Sequence, residues 1–84
     1  MSALRKLPNV GAVLERNLNR VGIETPEQLR AVGAKQAFLR IRAQVDPGAC
    51  LHMLYGLRGA VDGVSDRLLA SEIKSDLKAF FRAL

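Results

Sequence analysis

The chain has 84 residues, of which 49% are hydrophobic and 25% are charged. This length supports one small hydrophobic core, and the apolar fraction excludes an intrinsically disordered chain. The formal net charge is +5 and the isoelectric point is about 10.2. Such a charge is consistent with a polyanionic partner such as nucleic acid, or with an ordinary basic surface.

Cysteine use and hydropathy indicate the compartment. Cys50 is the single cysteine, so an intramolecular disulfide is excluded. Residues 1–6 lack the apolar segment of a signal peptide, and no apolar run approaches the roughly 18 residues of a membrane span. We therefore predict one soluble, cytoplasmic domain over residues 1–84, with no membrane contact.

A short pattern, L-x-x-V-G, occurs three times at a spacing of eleven residues, at Leu7–Gly11, Leu18–Gly22 and Leu29–Gly33. A period of eleven is compatible with one continuous helix. The glycines, together with Pro8 and Pro26, argue against that interpretation. We predict short helices, each closed by a glycine and attached to the core by a leucine and a valine.

Two segments have the composition of helix starts. In Thr25–Gln28 a capping threonine is followed by proline, an acid and a glutamine that completes a capping box. Asp46 and Pro47 predict a second start of the same kind. Apolar residues at helical spacing complete the prediction of an all-α bundle of five to six helices. The predicted helices span about Ser2–Leu7, Ala12–Val21, Pro26–Val32, Ala34–Val45, Pro47–Asp62 and Ser71–Leu84, and residues 64–70 are a connection without a predicted structure.

The fifth predicted helix is apolar around nearly its whole circumference, which is typical of a central helix. Its apolar residues are Leu51, Met53, Leu54, Tyr55, Leu57, Ala60 and Val61. A seam between two copies of the chain is the alternative. Gly56 and Gly59 each cost roughly 1 kcal/mol inside a helix, and the close approach of a neighbouring helix would compensate for that cost.

No arrangement of side chains points to catalysis or metal binding. Cys50 and His52, the only Cys/His pair, lie two residues apart and point in different directions on a helix, so they cannot share a metal. The acidic residues are spread singly. We predict no enzymatic activity, no metal and no cofactor, a buried Cys50, and a Phe80–Phe81 pair that closes the core.

The two turns that precede the second and fourth predicted helices look related, because Leu7…Val10-Gly11-Ala12 matches Leu29…Val32-Gly33-Ala34. A doubled turn of this kind resembles the helix-hairpin-helix DNA-binding motif, in which a Gly-x-Gly turn after Leu-Pro grips a phosphate. Asn9 replaces the first glycine, and asparagine tolerates a left-handed backbone. Its side chain is expected either to crowd a phosphate or to cap the second helix.

A longer set of residues is similar to the C-terminal domain of the TfoX/Sxy family. The matching residues are Leu7, Asn9, Val10, Gly11, Leu18, Val21, Gly22, Ile23, Thr25, Leu29, Val32, Gly33, Ala34, Ala37–Arg40, Leu54–Leu57, Gly59 and Ala60. The resemblance implies a helix-hairpin-helix-like or SAM-like helical fold. It also implies a regulatory role associated with natural competence in bacteria.

Two functions follow as alternatives. In the first, the domain binds the phosphate backbone of DNA without sequence preference and with a steep dependence on salt. The residues predicted for this site are Asn9 and the amides of Val10, Gly11 and Ala12, with Arg5, Lys6 and Arg16, and with Arg30 and Lys35 at the second turn. In the second, an apolar patch around Leu39, Tyr55 or Phe81 binds a protein partner or a second copy in a homodimer.

Overall fold

The structure is a computed structural model that describes residues 3–84, and the regular secondary structure in this range is entirely helical. Five α-helices are accompanied by two 3-10 helices, at Ala3–Lys6 and Asp66–Leu68. The α-helices are α1 (Ala12–Arg20), α2 (Pro26–Val32), α3 (Ala34–Gln44), α4 (Leu51–Asp62) and α5 (Ser71–Arg82). The all-α prediction is confirmed. None of these helices is long and apolar enough to cross a membrane.

The predicted helices match the observed ones where local sequence signals are strong. The start of α2 is the clearest case: the Thr25 hydroxyl accepts a hydrogen bond from the Gln28 amide at 3.1 Å. The Gln28 side chain accepts in return from the Glu24 amide at 2.6 Å. The two bonds satisfy the Gln28 amide in the first turn of α2 and the amide of Glu24, the residue before the N-cap, so the arrangement is a variant of the predicted capping box. The first predicted helix is a 3-10 helix, and its expected first residue, Ser2, lies outside the described residues.

The start of α4 differs from the prediction by four residues. Asp46 does not cap a helix at Pro47, because its carboxylate accepts from the Gly48 amide at 2.9 Å in a local turn. The carbonyl of Asp46 also accepts from the Ala49 amide at 3.0 Å. The helix therefore begins only at Leu51, after Cys50 in the N-cap position. Cys50 is exposed, so the prediction of a buried cysteine is wrong.

The repeated glycines do not all have the same role. Gly22 follows α1 and Gly33 follows α2, both at positive φ (83° and 85°), so these two helices close as predicted. Gly11, in contrast, is the N-cap of α1 with φ −98°, and it opens a helix where a closing glycine was predicted. In this first turn Asn9 has the positive φ, 68°, which confirms that asparagine supplies the left-handed backbone.

The core is built around α4, as the apolar pattern of that helix predicts. Leu54, Leu57 and Ala60 have no exposed surface, and α2, α3, α5 and the second 3-10 helix all contact α4. The other fully buried large side chains are Leu4, Leu18, Ile23, Leu29, Phe38, Ile41 and Leu77. Other helices of the chain therefore cover much of α4, whereas Met53 on this helix is only half-buried.

Helix α5 closes the core. The ring of Phe81 packs edge-on against Phe38, with centroids 6.0 Å apart and an interplanar angle of 61°. The neighbouring Phe80 ring packs against the core and lies below the Lys35 ammonium, which is 5.1 Å from the ring centroid. The prediction that this phenylalanine pair belongs to the core is confirmed.

Candidate nucleic-acid interface

The predicted hairpin lies between the first 3-10 helix and α1. The Leu7 amide donates to the Leu4 carbonyl at 3.0 Å, and the Val10 amide donates to the Leu7 carbonyl at 3.4 Å. Leu4 and Val10 are buried, so both ends of the turn are anchored in the core. The Val10 amide is thus engaged within the turn, while its side chain fixes the position of the residues that follow.

The start of α1 is open to solvent. Gly11 is its N-cap, and no side chain accepts a hydrogen bond there. Gly11, Ala12 and Val13 are all exposed. The first amides of a helix have no partner within the helix and point along its axis, so they form a ready site for an anion. The amides available at this site are those of Gly11, Ala12 and Val13.

The Asn9 side chain does not cap α1. Its amide nitrogen donates to the carbonyl oxygens of Gly56 and Val64, at 3.2 and 3.1 Å. Its carbonyl oxygen accepts from the Asp66 amide at 3.1 Å. Instead of capping α1, this side chain links the hairpin to α4 and to the chain that follows it.

Close packing explains one of the two glycines inside α4, Gly59. A Cβ on Gly59 would lie 2.6 Å from the Val64 carbonyl oxygen and would also meet the amide nitrogen of Asn9. A Cβ on Gly56 would lie 3.6 Å from the Cβ of Asn9, an ordinary contact distance. The predicted close approach is present, but the neighbour is the hairpin and the chain after α4, not another helix.

The predicted cations around the hairpin have different surroundings. Arg5 pairs with Glu15 at 3.6 Å, so part of its charge is balanced by a carboxylate of α1. Lys6 and Arg16 are exposed. These two side chains lie at the end of the 3-10 helix and in the second turn of α1, on either side of the open amides in sequence.

The residues of the second turn are less exposed than those of the first, although a cavity of about 480 Å³ adjoins them. Gly33 is the N-cap of α3 and has no side-chain cap, as at Gly11, but the following Ala34 is buried. Lys35 pairs with Asp76 at 2.9 Å, and Arg30 pairs with Glu27 at 3.7 Å. The two turns also differ in backbone, because Gly33 has a φ of 85° and Gly11 a φ of −98°. The cations predicted at the second turn have carboxylate partners within the chain.

An open groove of about 460 Å³ connects the start of α1 with the start of α4. Its lining is mainly apolar and includes Val13, of which 64% is exposed. His52 and Asp66, 3.6 Å apart, also lie along this groove. The groove was not predicted from the sequence, because the start of α4 was expected four residues too early. The spacing of Gly56 and Gly59, which lie on one face of α4, was the sequence feature that could have indicated the groove.

The exposed apolar side chains lie elsewhere than expected. Tyr55 and Phe81 are partly buried against the core, and the Tyr55 hydroxyl donates to the Lys74 carbonyl at 3.5 Å. The large hydrophobic side chains that are most exposed in residues 3–84 are Val13 (64%), Leu68 (74%) and Leu84 (46%). Leu39 is half-buried like Tyr55 and Phe81, so Val13 at the groove is more exposed than the three residues of the predicted patch.

The all-helical fold and the anchored hairpin define the class of protein. The chain belongs to the TfoX C-terminal domain family, whose model matches residues 1–81. It is also similar to the protein Sxy of Escherichia coli (strain K12), with 35% identity over 74 residues. That match covers 88% of this chain but 35% of Sxy, so the chain spans about a third of the relative's length. The family resemblance found in the sequence is confirmed.

Two crystal structures have the same fold. Both are of an uncharacterized protein from Listeria monocytogenes that is 45% identical to this chain. The triclinic form superposes with a TM-score of 0.93 and covers 95% of this chain and 90% of that one. The tetragonal form gives a TM-score of 0.92 and covers 95% and 96% of the two chains.

Proposed function

We propose that this domain binds the phosphate backbone of DNA at the hairpin that leads into α1. The binding is non-specific and non-catalytic, and it serves the regulatory, competence-related role that the family resemblance implies. The observation that supports this proposal is the open start of α1, where Gly11, Ala12 and Val13 are exposed and no side chain caps the helix.

The chemistry of the site suits a phosphate group. A helix start presents unpaired amides and a partial positive charge, and a glycine N-cap lets a backbone approach closely. Lys6 and Arg16 are exposed and add full positive charges, in a chain whose net charge is +5. Such contacts position a protein on nucleic acid without reading bases, and they weaken as salt rises.

Gly11→Asp tests the anion site, because stability and binding are expected to change in opposite directions. The aspartate carboxylate would cap the first amides of α1, and a Cβ at this position meets nothing within 4 Å. We expect the free energy of unfolding to rise by a few tenths of a kcal/mol, since glycine is already a fair N-cap. Affinity for a short duplex should fall roughly tenfold, because one phosphate contact is replaced by a carboxylate.

Two variants serve as controls for this test. Asn19→Asp adds the same charge at an exposed position near the other end of α1 and should weaken binding much less. Gly11→Asn caps the same amides without the charge and should fall between the two aspartate variants. Fluorescence anisotropy and urea unfolding measure the two quantities. Equal losses for Gly11→Asp and Asn19→Asp would show that charge, and not the site at α1, determines binding.

A second function, self-association, is supported by one observation. The groove between α1 and α4 is mainly apolar, and Val13 at its edge is 64% exposed. An exposed apolar side chain beside an apolar groove is a common feature of protein interfaces. In this alternative the groove of one copy receives apolar side chains of a second copy or of another protein.

Val13→Lys separates the two functions. A lysine beside the open amides should tighten duplex binding several-fold if phosphate binds there, because it adds one cationic contact. The same change should dissociate a dimer that buries Val13, because it places a charge in an apolar interface. Sedimentation equilibrium and duplex titration measure the two outcomes. A wild-type chain that remains monomeric at about 1 mM would eliminate the homodimer.

A further inference from the structure

We infer that Asn9 is a positioning residue, which holds the hairpin against α4 so that the amides of Gly11 and Ala12 stay fixed at the open start of α1. This inference rests on the proposed function, because the ligand of the positioned amides is taken to be a phosphate of DNA. The role assigned to Asn9 is the orientation of the hairpin, and its side chain does not contact the ligand.

The backbone of Asn9 is the first observation. Its φ of 68° is the only positive φ of a residue other than glycine in the described part of the chain. A left-handed residue with a side chain persists where surrounding contacts determine its conformation. Glycine would adopt this turn at no steric cost, so the presence of asparagine calls for a contribution from the side chain.

The side chain makes that contribution through three hydrogen bonds. The two N–H groups of its amide serve the carbonyl oxygens of Gly56 and Val64, and its own carbonyl serves the Asp66 amide. The partners lie 47 to 57 residues away in sequence. A primary amide has two donors and one acceptor, and all of them have partners here. Neither aspartate, which lacks donors when ionised, nor serine, which has one, reproduces this set.

These three hydrogen bonds, here called the Asn9 tether, join the hairpin to α4, the central helix of the core. Gly56 lies within α4, while Val64 and Asp66 follow its end. Gly59 lacks a side chain at the point where the Asn9 amide and the Val64 carbonyl come close to the helix. The Asn9 hydrogen bonds therefore attach the hairpin to α4 in addition to the apolar anchors of Leu4 and Val10.

Asn9→Gly separates the turn from the tether, because glycine keeps the positive φ and removes all three hydrogen bonds. We expect its affinity for a short duplex to fall roughly tenfold, as if the hairpin were correctly placed in about a tenth of the molecules. The backbone order parameters of Gly11 and Ala12, measured by 15N relaxation, should fall from about 0.85 to below about 0.6.

Asn9→Asp provides a second variant that keeps the acceptor for the Asp66 amide. In this variant a carboxylate oxygen replaces the amide nitrogen that donates to the carbonyl oxygens of Gly56 and Val64. Because these oxygens are all acceptors, they repel one another, and the hairpin should loosen as well. Asn19→Asp controls for its charge. All binding is measured at a temperature where circular dichroism shows each variant folded, and Ile73→Ala in α5 controls for a general loss of stability.

The outcomes distinguish this inference from the proposed function. Failure of the wild-type chain to bind duplex would refute the proposed function, and the order parameters would still decide the role of Asn9. Unchanged order parameters in Asn9→Gly and Asn9→Asp would overturn the inference. If the wild-type chain binds duplex, a fall in the order parameters of the Asn9 variants without a loss of their affinity would also overturn the inference. An equal loss of affinity in Ile73→Ala would overturn it too, because that loss would then reflect general stability.

Discussion

Replacing Gly59 with alanine is expected to lower the free energy of unfolding by about 1–3 kcal/mol, the usual cost of excess volume at a packed site. The added Cβ would lie 2.6 Å from the Val64 carbonyl oxygen and 3.3 Å from the Asp66 nitrogen. Both are backbone atoms, which cannot rotate away as the end of a long side chain can. Helix α4 would have to move away from the segment that follows it, and this movement would disrupt the hydrogen bonds of Asn9.

Gly56→Ala is the matched control in the same helix. Its Cβ would meet only the Cβ of Asn9, at 3.6 Å, which is ordinary van der Waals contact. Alanine is also preferred over glycine inside a helix by up to roughly 1 kcal/mol, so this variant should be neutral or stabilised. Urea unfolding followed by circular dichroism measures both variants. If Gly59→Ala is as stable as Gly56→Ala, the hairpin and the connection do not pack on α4 as described.

The fold could be predicted from sequence wherever a helix is specified by its own residues. Helix α2 is the best example, because the capping pair of Thr25 and Gln28 and the closing Gly33 all act within a few residues of the helix. Local signals of this kind act at short range and need no tertiary context. The same reasoning explains why the apolar circumference of α4 correctly indicated a central helix.

The start of α4 shows where local signals become ambiguous. An aspartate followed by proline is equally suited to a helix N-cap and to a turn that bonds its own backbone. The structure has the turn, with the Asp46 carboxylate on the Gly48 amide. This difference of four residues exposes Cys50 and brings the start of α4 to the groove beside α1. The groove could not be predicted while that start was misplaced.

Contacts between distant residues could not be predicted from one sequence. The left-handed backbone of Asn9 follows from residue type, but its partners lie 47 to 57 residues away and depend on how α4 packs. The same applies to Lys35, which was predicted as a phosphate contact and pairs with Asp76 on α5 at 2.9 Å. Sequence showed the charge and the turn, whereas tertiary packing determined which cations have acidic partners.

The two related turns therefore differ in what they offer a ligand. At the second, Ala34 is buried and Lys35 lies between the Asp76 carboxylate and the Phe80 ring. At the first, Ala12 is exposed and Gly11 lacks a cap. Both cations predicted at the second turn have carboxylate partners, whereas at the first turn Arg5 pairs with Glu15. Because the residues of the first turn are also more exposed, we expect phosphate binding to concentrate there.

The double variant Lys6→Glu/Arg16→Glu is expected to weaken duplex binding about a hundredfold at roughly 0.05 M salt, because each lost phosphate contact costs about tenfold under those conditions. The slope of log affinity against log salt should become shallower by about 2. Both residues are exposed, so the unfolding free energy should change by no more than about 0.5 kcal/mol for each residue. A salt-resolved anisotropy titration measures the affinity and the slope together.

The control for this variant is Lys78→Glu/Arg82→Glu, which makes the same change of charge at exposed positions of α5. A site at the hairpin predicts that the control keeps the wild-type salt slope and loses little affinity, since exposed charges more than about 10 Å away are screened at moderate salt. Equal effects of the two double variants would mean that the duplex responds to net charge over the whole surface. Absence of binding by the wild-type chain at low salt, despite its net charge of +5, would remove the nucleic-acid function and favour a protein partner at the apolar groove.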